Sequence, residues 1–366
     1  MKIAHVVLAL NVGGIECMLA DICRKQADIA DVSLVIINDT YDRRLLDSIS
    51  KQVSCVLIRR PCGSRNPWHL LRTLRTLRQL QPDIIHLHHL SMVPLIRMLR
   101  FPRITTVHST LSQAQGYIAA REYLCGISQA VGDTISNVYP NASCAVVTNG
   151  VDFSSFTTRE VPLSGPVRLL QVSRLLHSCK GQDILLQALR LLRERRGELD
   201  LSVTFVGDGP SREYLATLAR DLGVEKRCVF LGEQPRTWVY ENLHRYDLLV
   251  QPSRQEGFGL TIVEAMAAKV PVLVADLPAP MEVIQSGRFG YHFVRADAGS
   301  CAERIAQALA EIRQPHYAAR LGAAYEYARS SFDISQTVAR YFAEYERVIQ
   351  ARESHSRRSR LSLRQG

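Results

Sequence analysis

Long apolar runs are missing from this chain of 366 residues. None approaches the ~20 residues that a membrane-spanning helix needs. Paired cysteines are missing too: the nine are scattered, odd in number and include no Cys-x-x-Cys. That argues against a disulfide or zinc framework and fits reduced thiols in a cytosol. Acidic residues are outnumbered, 35 against 45 basic ones, which leaves a formal net charge of +10. Such a charge suits anionic substrates, an anionic membrane surface or nucleic acid without choosing among them, and no nucleic-acid-binding motif accompanies it. No Gly-x-Gly-x-x-Gly follows the first apolar stretch, so the usual dinucleotide fingerprint is absent. Met1 to Leu10 lacks a small-residue cleavage site and runs directly into Asn11-Val12-Gly13-Gly14. It therefore reads as a first strand and not as a signal peptide.

What is there is an alternation of apolar runs and helical stretches, with 46% hydrophobic residues and length enough for two domains of ordinary size. The most informative stretch is Tyr246 to Asp276. Leu248 to Val250 is an apolar run that stops at Gln251-Pro252-Ser253. Leu260 to Lys269 reads as a helix, and Val270 to Ala275 as a second buried strand. Strand, Gly-containing loop, helix and strand make a βαβ unit of a parallel sheet, and ligands of such sheets sit outside the carboxyl ends of the strands. Gly257 and Gly259 allow backbone to approach a ligand, and the helix start at Leu260-Thr261 favours an anion such as phosphate. Glu256 stands just before this start and Glu264 eight residues on. Eight helical residues span about 12 Å, roughly the length of a sugar diphosphate, so the two carboxylates can meet hydroxyls at its two ends.

Elsewhere, Lys2 to Leu10, Asp31 to Asn38, Val53 to Ile58, Val167 to Val172 and Leu201 to Val206 read as strands, and Glu16 to Gln26 as a helix. Trp68 to Leu80 reads as a basic amphipathic helix, with Leu70, Leu71, Leu74 and Leu77 on one face and Arg72, Arg75 and Arg78 beside it. Pro94 to Arg103 adds Arg97, Arg100 and Arg103 among apolar residues. Two readings stand: a core-facing helix with a solvated basic edge, or docking on anionic lipid headgroups. His86 and His88 share a face of a strand ending at His89, but no carboxylate or cysteine follows at a telling distance, so no metal site is expected. After the strand Val167 to Val172, Arg174 and Lys180 lie in a loop that opens a helix, a natural clamp for a diphosphate.

Glu256-x7-Glu264 around Gly257-Phe258-Gly259 resembles the signature of retaining GT-B glycosyltransferases, especially glycosyltransferase family 4. Gly13-Gly14-x-Glu16, the Asp83-x-x-His86-x-His88 strand, Asn149-Gly150-Val151-Asp152, Arg174-Leu175 with Lys180-Gly181, and Gly207-Asp208-Gly209 resemble further family motifs. Ser173 stands where the family usually has Gly, and His177-Ser178-Cys179 departs from the common acidic run before the lysine.

The resemblance implies an α/β GT-B fold: two Rossmann-like parallel-sheet domains facing across a cleft, with a C-terminal helix crossing back to the first. The expected ranges are 1–160 for the acceptor domain, 161–332 for the donor domain, 333–352 for the crossover helix and 353–366 for a mobile basic tail. It implies retaining transfer from a nucleoside-diphosphate sugar, a UDP-sugar by preference, to an acceptor hydroxyl. The acceptor would be a lipid-linked saccharide of bacterial surface-polysaccharide assembly, worked on in the cytoplasm or peripherally at an anionic inner membrane face. In the family, Glu256 faces the transferred sugar, His108 sits by the sugar and phosphate, and Arg174 and Lys180 neutralise the leaving diphosphate. Gly13, Gly14, Gly257, Phe258, Gly259, Leu260, Thr261 and Glu264 complete the donor contacts, Glu264 holding the ribose. No metal or other cofactor, and no nucleic acid, is expected. A GT-B sugar-nucleotide epimerase and a non-catalytic nucleotide-sugar-binding protein are the alternatives.

Overall fold

The structure is a computed structural model. It describes residues 1–11, 13–49, 52–113, 118, 122–160, 165–196, 200–314 and 316–362, with side chains as far as 354 in the last helix. Val12, residues 161–164 of the expected linker and Arg364 of the expected tail lie outside the described residues.

The chain divides into two compact units, 1–150 with 334–366, and 151–333. The division falls at Gly150/Val151, ahead of the expected 160/161, and the chain returns to the first unit at Ile334.

In the first unit seven strands form one parallel sheet: β1 (Lys2–Val7), β2 (Asp31–Asn38), β3 (Ser54–Arg60), β4 (Ile84–Leu87), β5 (Arg103–Val107), β6 (Tyr123–Gly126) and β7 (Ser143–Val146). Their order is β3-β2-β1-β4-β5-β6-β7. The order reverses between β1 and β4, and a crevice at such a switch point is where α/β sheets hold ligands. One core cluster joins Val6, Ile37, Ile58, Leu74, Leu77, Leu87 and Ile96.

The helix Pro67–Leu80 buries Thr73, Leu74 and Leu77. Leu70 and Leu71, expected on the apolar face, are exposed at 39% and 53%, and Trp68 is exposed at 72%. The apolar stripe is wider than the strip of sheet that the helix covers. The segment from Pro94 also differs from the sequence reading: only Val93–Ile96 is helical, and Arg103 belongs to β5, where it pairs with buried Glu122 at 2.8 Å.

The last helix, Ile334–Ser362, runs past residue 352, where a tail was expected. It is fixed to the first unit by buried tyrosines. Tyr345 Oη receives a hydrogen bond from Gln26 Nε2 at 3.1 Å, and Tyr341 Oη lies 3.0 Å from Thr106 Oγ1.

The second unit has six parallel strands: β8 (Val167–Val172), β9 (Leu201–Val206), β10 (Cys228–Gly232), β11 (Leu248–Gln251), β12 (Val272–Ala275) and β13 (Tyr291–Phe293). Their order, β10-β9-β8-β11-β12-β13, reverses between β8 and β11. Apolar residues such as Leu169, Val203, Leu248 and Leu273 fill its core against the helices Gln182–Arg196 and Ala298–Ile312. The two strands at the switch point are thus the ones that end in the Arg174/Lys180 loop and in the Glu256 loop.

Candidate functional site

Beyond β8 the chain passes Ser173-Arg174-Leu175-Leu176, makes one short helical turn at His177–Lys180 and enters the helix Gln182–Arg196 at Gly181. Gly181 has φ +67°, and a Cβ there would lie 1.9 Å from the Pro252 carbonyl oxygen. Only glycine lets this loop press against the one beyond β11. The two loops are then tied together. The Cys179 carbonyl accepts from the Arg254 and Gln255 amides at 2.8 and 3.2 Å. Arg254 forms a two-pronged ion pair with Asp183 at 2.7 and 2.8 Å, and donates to the His177 carbonyl at 2.8 Å. Planar bidentate pairing of this kind fixes orientation as well as distance.

The result is a contact between residues 76 apart in sequence: Lys180 Nζ lies 2.8 Å from Glu256 Oε2. The side chains are 25% and 13% exposed. Gln251 Nε2, at 3.0 Å, and Ser253 Oγ, at 3.5 Å, donate to the same Glu256 oxygen. Thr261 Oγ1 donates to Gln251 Oε1 at 3.2 Å, so the start of the next helix steadies the amide that steadies Glu256. Arg174 is exposed on the first loop. A cation that is already paired, a cation that faces solvent and an oriented carboxylate therefore share one switch point.

The helix after this loop is Leu260–Ala267, two residues shorter than the sequence reading, with Gly259 as its N-cap at φ +103°. Its first amides lack partners within the helix, as at any helix start. Phe258 is buried and packs edge-on against Phe332, with ring centres 5.5 Å apart, so its side chain is committed to the core. Glu264 is buried on the helix. Glu256 lies ahead of the helix in the loop, so the separation of about 12 Å, which takes every step between the two carboxylates as helical, does not apply.

In the first unit, Gly13 caps the helix Gly14–Ala27. A Cβ on Gly13 would lie 2.5 Å from Glu16 Oε2, so the glycine makes room for that carboxylate. Burial pushes the Glu16 carboxyl above its ordinary range. His108 follows β5. Both its ring nitrogens are buried without a hydrogen-bond partner among the described residues, and burial, helped by His89, lowers its pKa to about 4. Its ring stacks on that of His88 at 5.7 Å.

Sequence reasoning put His86 and His88 on one face of a strand but passed over His5, which joins them. His5 Nδ1 lies 3.0 Å from His88 Nε2, and His5 Nε2 lies 2.7 Å from Gln26 Oε1. His86 reaches Tyr345 Oη at 2.8 Å and Thr106 Oγ1 at 2.7 Å. Ring nitrogens of His5, His86 and His88 lie within 4.8 Å of one another. A metal ion needs free lone pairs aimed at one point. Here both nitrogens of His5 and of His86 lie within hydrogen-bond reach of protein partners, the contact of His5 Nδ1 being to His88 within the group itself. Burial, followed by the neighbouring rings, holds His86 and His88 well below the usual imidazole range. Sequence reasoning also missed Gln251 and Arg254. Their signal was a polar side chain at the end of a buried strand and a cation two residues before Glu256, both of which read as ordinary loop chemistry.

Residues 12–155 match the family model described as Glycosyltransferase Family 4, and residues 157–324 match the one described as Glycosyl transferases group 1. Glycogen synthase of Mycobacterium tuberculosis (strain CDC 1551 / Oshkosh) is 29% identical over 259 residues, 65% of this chain and 61% of that protein. The lipopolysaccharide core biosynthesis mannosyltransferase LpcC of Rhizobium leguminosarum bv. viciae is 30% identical over 176 residues, 45% of this chain and 49% of that protein. Neither alignment reaches two thirds of the relative's length. HepE of Anabaena, solved in complex with UDP and glucose, has the same fold at a TM-score of 0.77, with 21% identity, covering 94% of this chain and 98% of that one. With both halves matched, and with two Rossmann-like parallel sheets of seven and six strands, the chain belongs to the GT-B glycosyltransferases of family 4.

Proposed function

We propose that the protein transfers a sugar from a nucleoside-diphosphate sugar, a UDP-sugar by preference, to a hydroxyl of a saccharide acceptor, with retention at the anomeric carbon. The observation that carries this reading is Lys180 Nζ at 2.8 Å from Glu256 Oε2, with Arg174 exposed on the same loop. Arg174, Lys180 and the amides that start the helix at Leu260 offset the charge of the departing diphosphate. They do electrostatically what a divalent cation does in other transferases, so activity is expected to survive EDTA. Glu256, held through Oε2 by three donors, keeps Oε1 for the transferred sugar, which it orients and polarises without acting as a nucleophile. The bond from the anomeric carbon to the phosphate oxygen breaks as the bond to the acceptor oxygen forms on the same face. The acceptor's proton passes to the departing phosphate oxygen. Glu264 holds the ribose. Gly13 and Gly14 contribute backbone contacts, and His108, neutral at pH 7, meets the sugar and phosphate.

The acceptor is proposed to be a lipid-linked saccharide met at the cytoplasmic face of a membrane. Support comes from exposed apolar side chains among cations in the first unit: Trp68, Leu71 and Met98, the last 66% exposed, with Arg72, Arg75, Arg97 and Arg100. Aromatic and aliphatic side chains beside arginines suit the headgroup region of an anionic leaflet. The relative acting in lipopolysaccharide core synthesis supports the same acceptor class. Calorimetry with UDP, GDP and ADP tests the donor class, and proton NMR of the product from the matching sugar nucleotide reads the anomeric configuration. An inverted anomer would refute retention, and a protein that binds none of the three nucleotides would refute the transferase reading.

A further inference from the structure

The residue before Arg174 does more than join β8 to the clamp. Ser173 Oγ accepts a hydrogen bond from Gln171 Nε2 at 3.1 Å and another from Gln182 Nε2 at 3.0 Å. Each amide also holds the backbone of one clamp cation: Gln171 Nε2 donates to the Lys180 carbonyl at 3.4 Å, and Gln182 Nε2 to the Arg174 carbonyl at 3.0 Å. Both glutamines are buried, at 1% and 0% exposure.

These contacts fix which way the hydroxyl works. A backbone carbonyl only accepts, so each amide must turn its nitrogen, and not its oxygen, toward carbonyl and serine alike. The amide oxygens of Gln171 and Gln182 point elsewhere and have no partner among the described residues. A serine hydroxyl has two lone pairs and one proton. Both lone pairs are taken, and the proton has no acceptor among the described residues. An oxygen that receives two hydrogen bonds is polarised into a better donor. Ser173 is half-buried, and the two amides that hold its hydroxyl also hold the backbone of the two cations that are proposed to bind a diphosphate, whose oxygens only accept.

We propose that the Ser173 hydroxyl is a third donor to the nucleotide's terminal phosphate, beside Arg174 and Lys180. This inference rests on the transferase reading and adds to it a residue that stands where the family usually has glycine. It makes the clamp partly neutral: one of its hydrogen bonds is held in place by buried amides and carries no charge of its own.

The test is calorimetry of the full chain with UDP and UMP on wild type, Ser173→Ala and Ser173→Gly, with thermal unfolding as a folding control. Loss of a hydrogen bond to a charged group weakens UDP by about tenfold and leaves UMP within about twofold. In cycles with Lys180→Ala and Arg174→Ala the losses multiply, because the hydroxyl touches the phosphate itself. If Ser173 only positions a cation, Ser173→Ala costs nothing further once that cation is gone, and the inference is overturned. Unchanged UDP binding by both Ser173 variants, or equal weakening of UDP and UMP, overturns it as well. A wild-type protein that binds none of UDP, GDP and ADP overturns the transferase reading and this inference together, whereas wild-type binding with an indifferent Ser173 leaves that reading standing.

Discussion

Glu256→Gln separates the two duties of the Lys180–Glu256 pair. Without ligand, Lys180 is held 2.8 Å from the carboxylate, and the side chains are 25% and 13% exposed. An incoming diphosphate must draw the ammonium away from Glu256 or share it. Partial exposure limits the worth of the pair to about 1 kcal/mol, the upper end for solvent-screened ion pairs. A neutral amide of the same size releases that amount, so UDP is expected to bind about fivefold more tightly to Glu256→Gln than to wild type. Transfer moves the other way. The sugar loses a charged, oriented partner where positive charge develops, and kcat falls by ~100-fold or more, on the scale of other lost electrostatic contacts. Calorimetry with UDP reads the first effect and a coupled UDP-release assay with a saccharide acceptor reads the second. Weaker UDP binding by Glu256→Gln would show that the carboxylate helps Lys180 toward the phosphate instead of competing for it, and would refute the reasoning.

Lys180→Ala should weaken UDP by about tenfold, from one lost charge-assisted hydrogen bond, with unfolding little changed because Gln251 and Ser253 still satisfy Glu256; unaltered affinity by calorimetry would contradict it. Replacing Arg72, Arg75, Arg97 and Arg100 together by Glu should abolish sedimentation with phosphatidylserine vesicles while UDP binding persists, and unchanged sedimentation would sink the membrane proposal. Acid should destabilise the first unit. His5 is fully buried and its pKa is lowered from 6.5 to about 4, so the unfolded chain takes up the proton first. At pH 7 both states are neutral and nothing is lost; stability then falls as pH drops from 6.5 towards 4, by about 2 kcal/mol at pH 5 from His5 alone. Urea unfolding midpoints that stay level between pH 7 and 5 would rule this out.

Local chemistry was legible where it is locally decided. β2, β8 and β9 have the bounds read from the sequence, because each is a short stretch dominated by β-branched and aliphatic side chains. The βαβ unit around Glu256 was readable for the same reason: a helix start, a loop and a strand each depend on neighbours within a few residues.

Other features depend on what lies opposite. Nothing in the stretch Trp68 to Leu80 says how much of its apolar stripe the sheet will cover; the fold buries Leu74 and Leu77 and leaves Trp68 and Leu71 outside. The end of the last helix could not be placed from its run of basic residues. The site itself is the clearest case. Arg174, Lys180 and Glu256 were identifiable singly, by residue type and spacing, but their arrangement comes from the parallel sheet, which sets β8 beside β11 and brings the loops beyond them together. Only then do Gly181 against Pro252, Arg254 on Asp183, and the amides of Gln171, Gln182 and Gln251 acquire functions. The sequence by itself determined which side chains the protein has available and which elements carry them. The tertiary structure decided which of them meet, because a hydrogen bond is set by distances of about 3 Å that residue spacing along the chain does not encode.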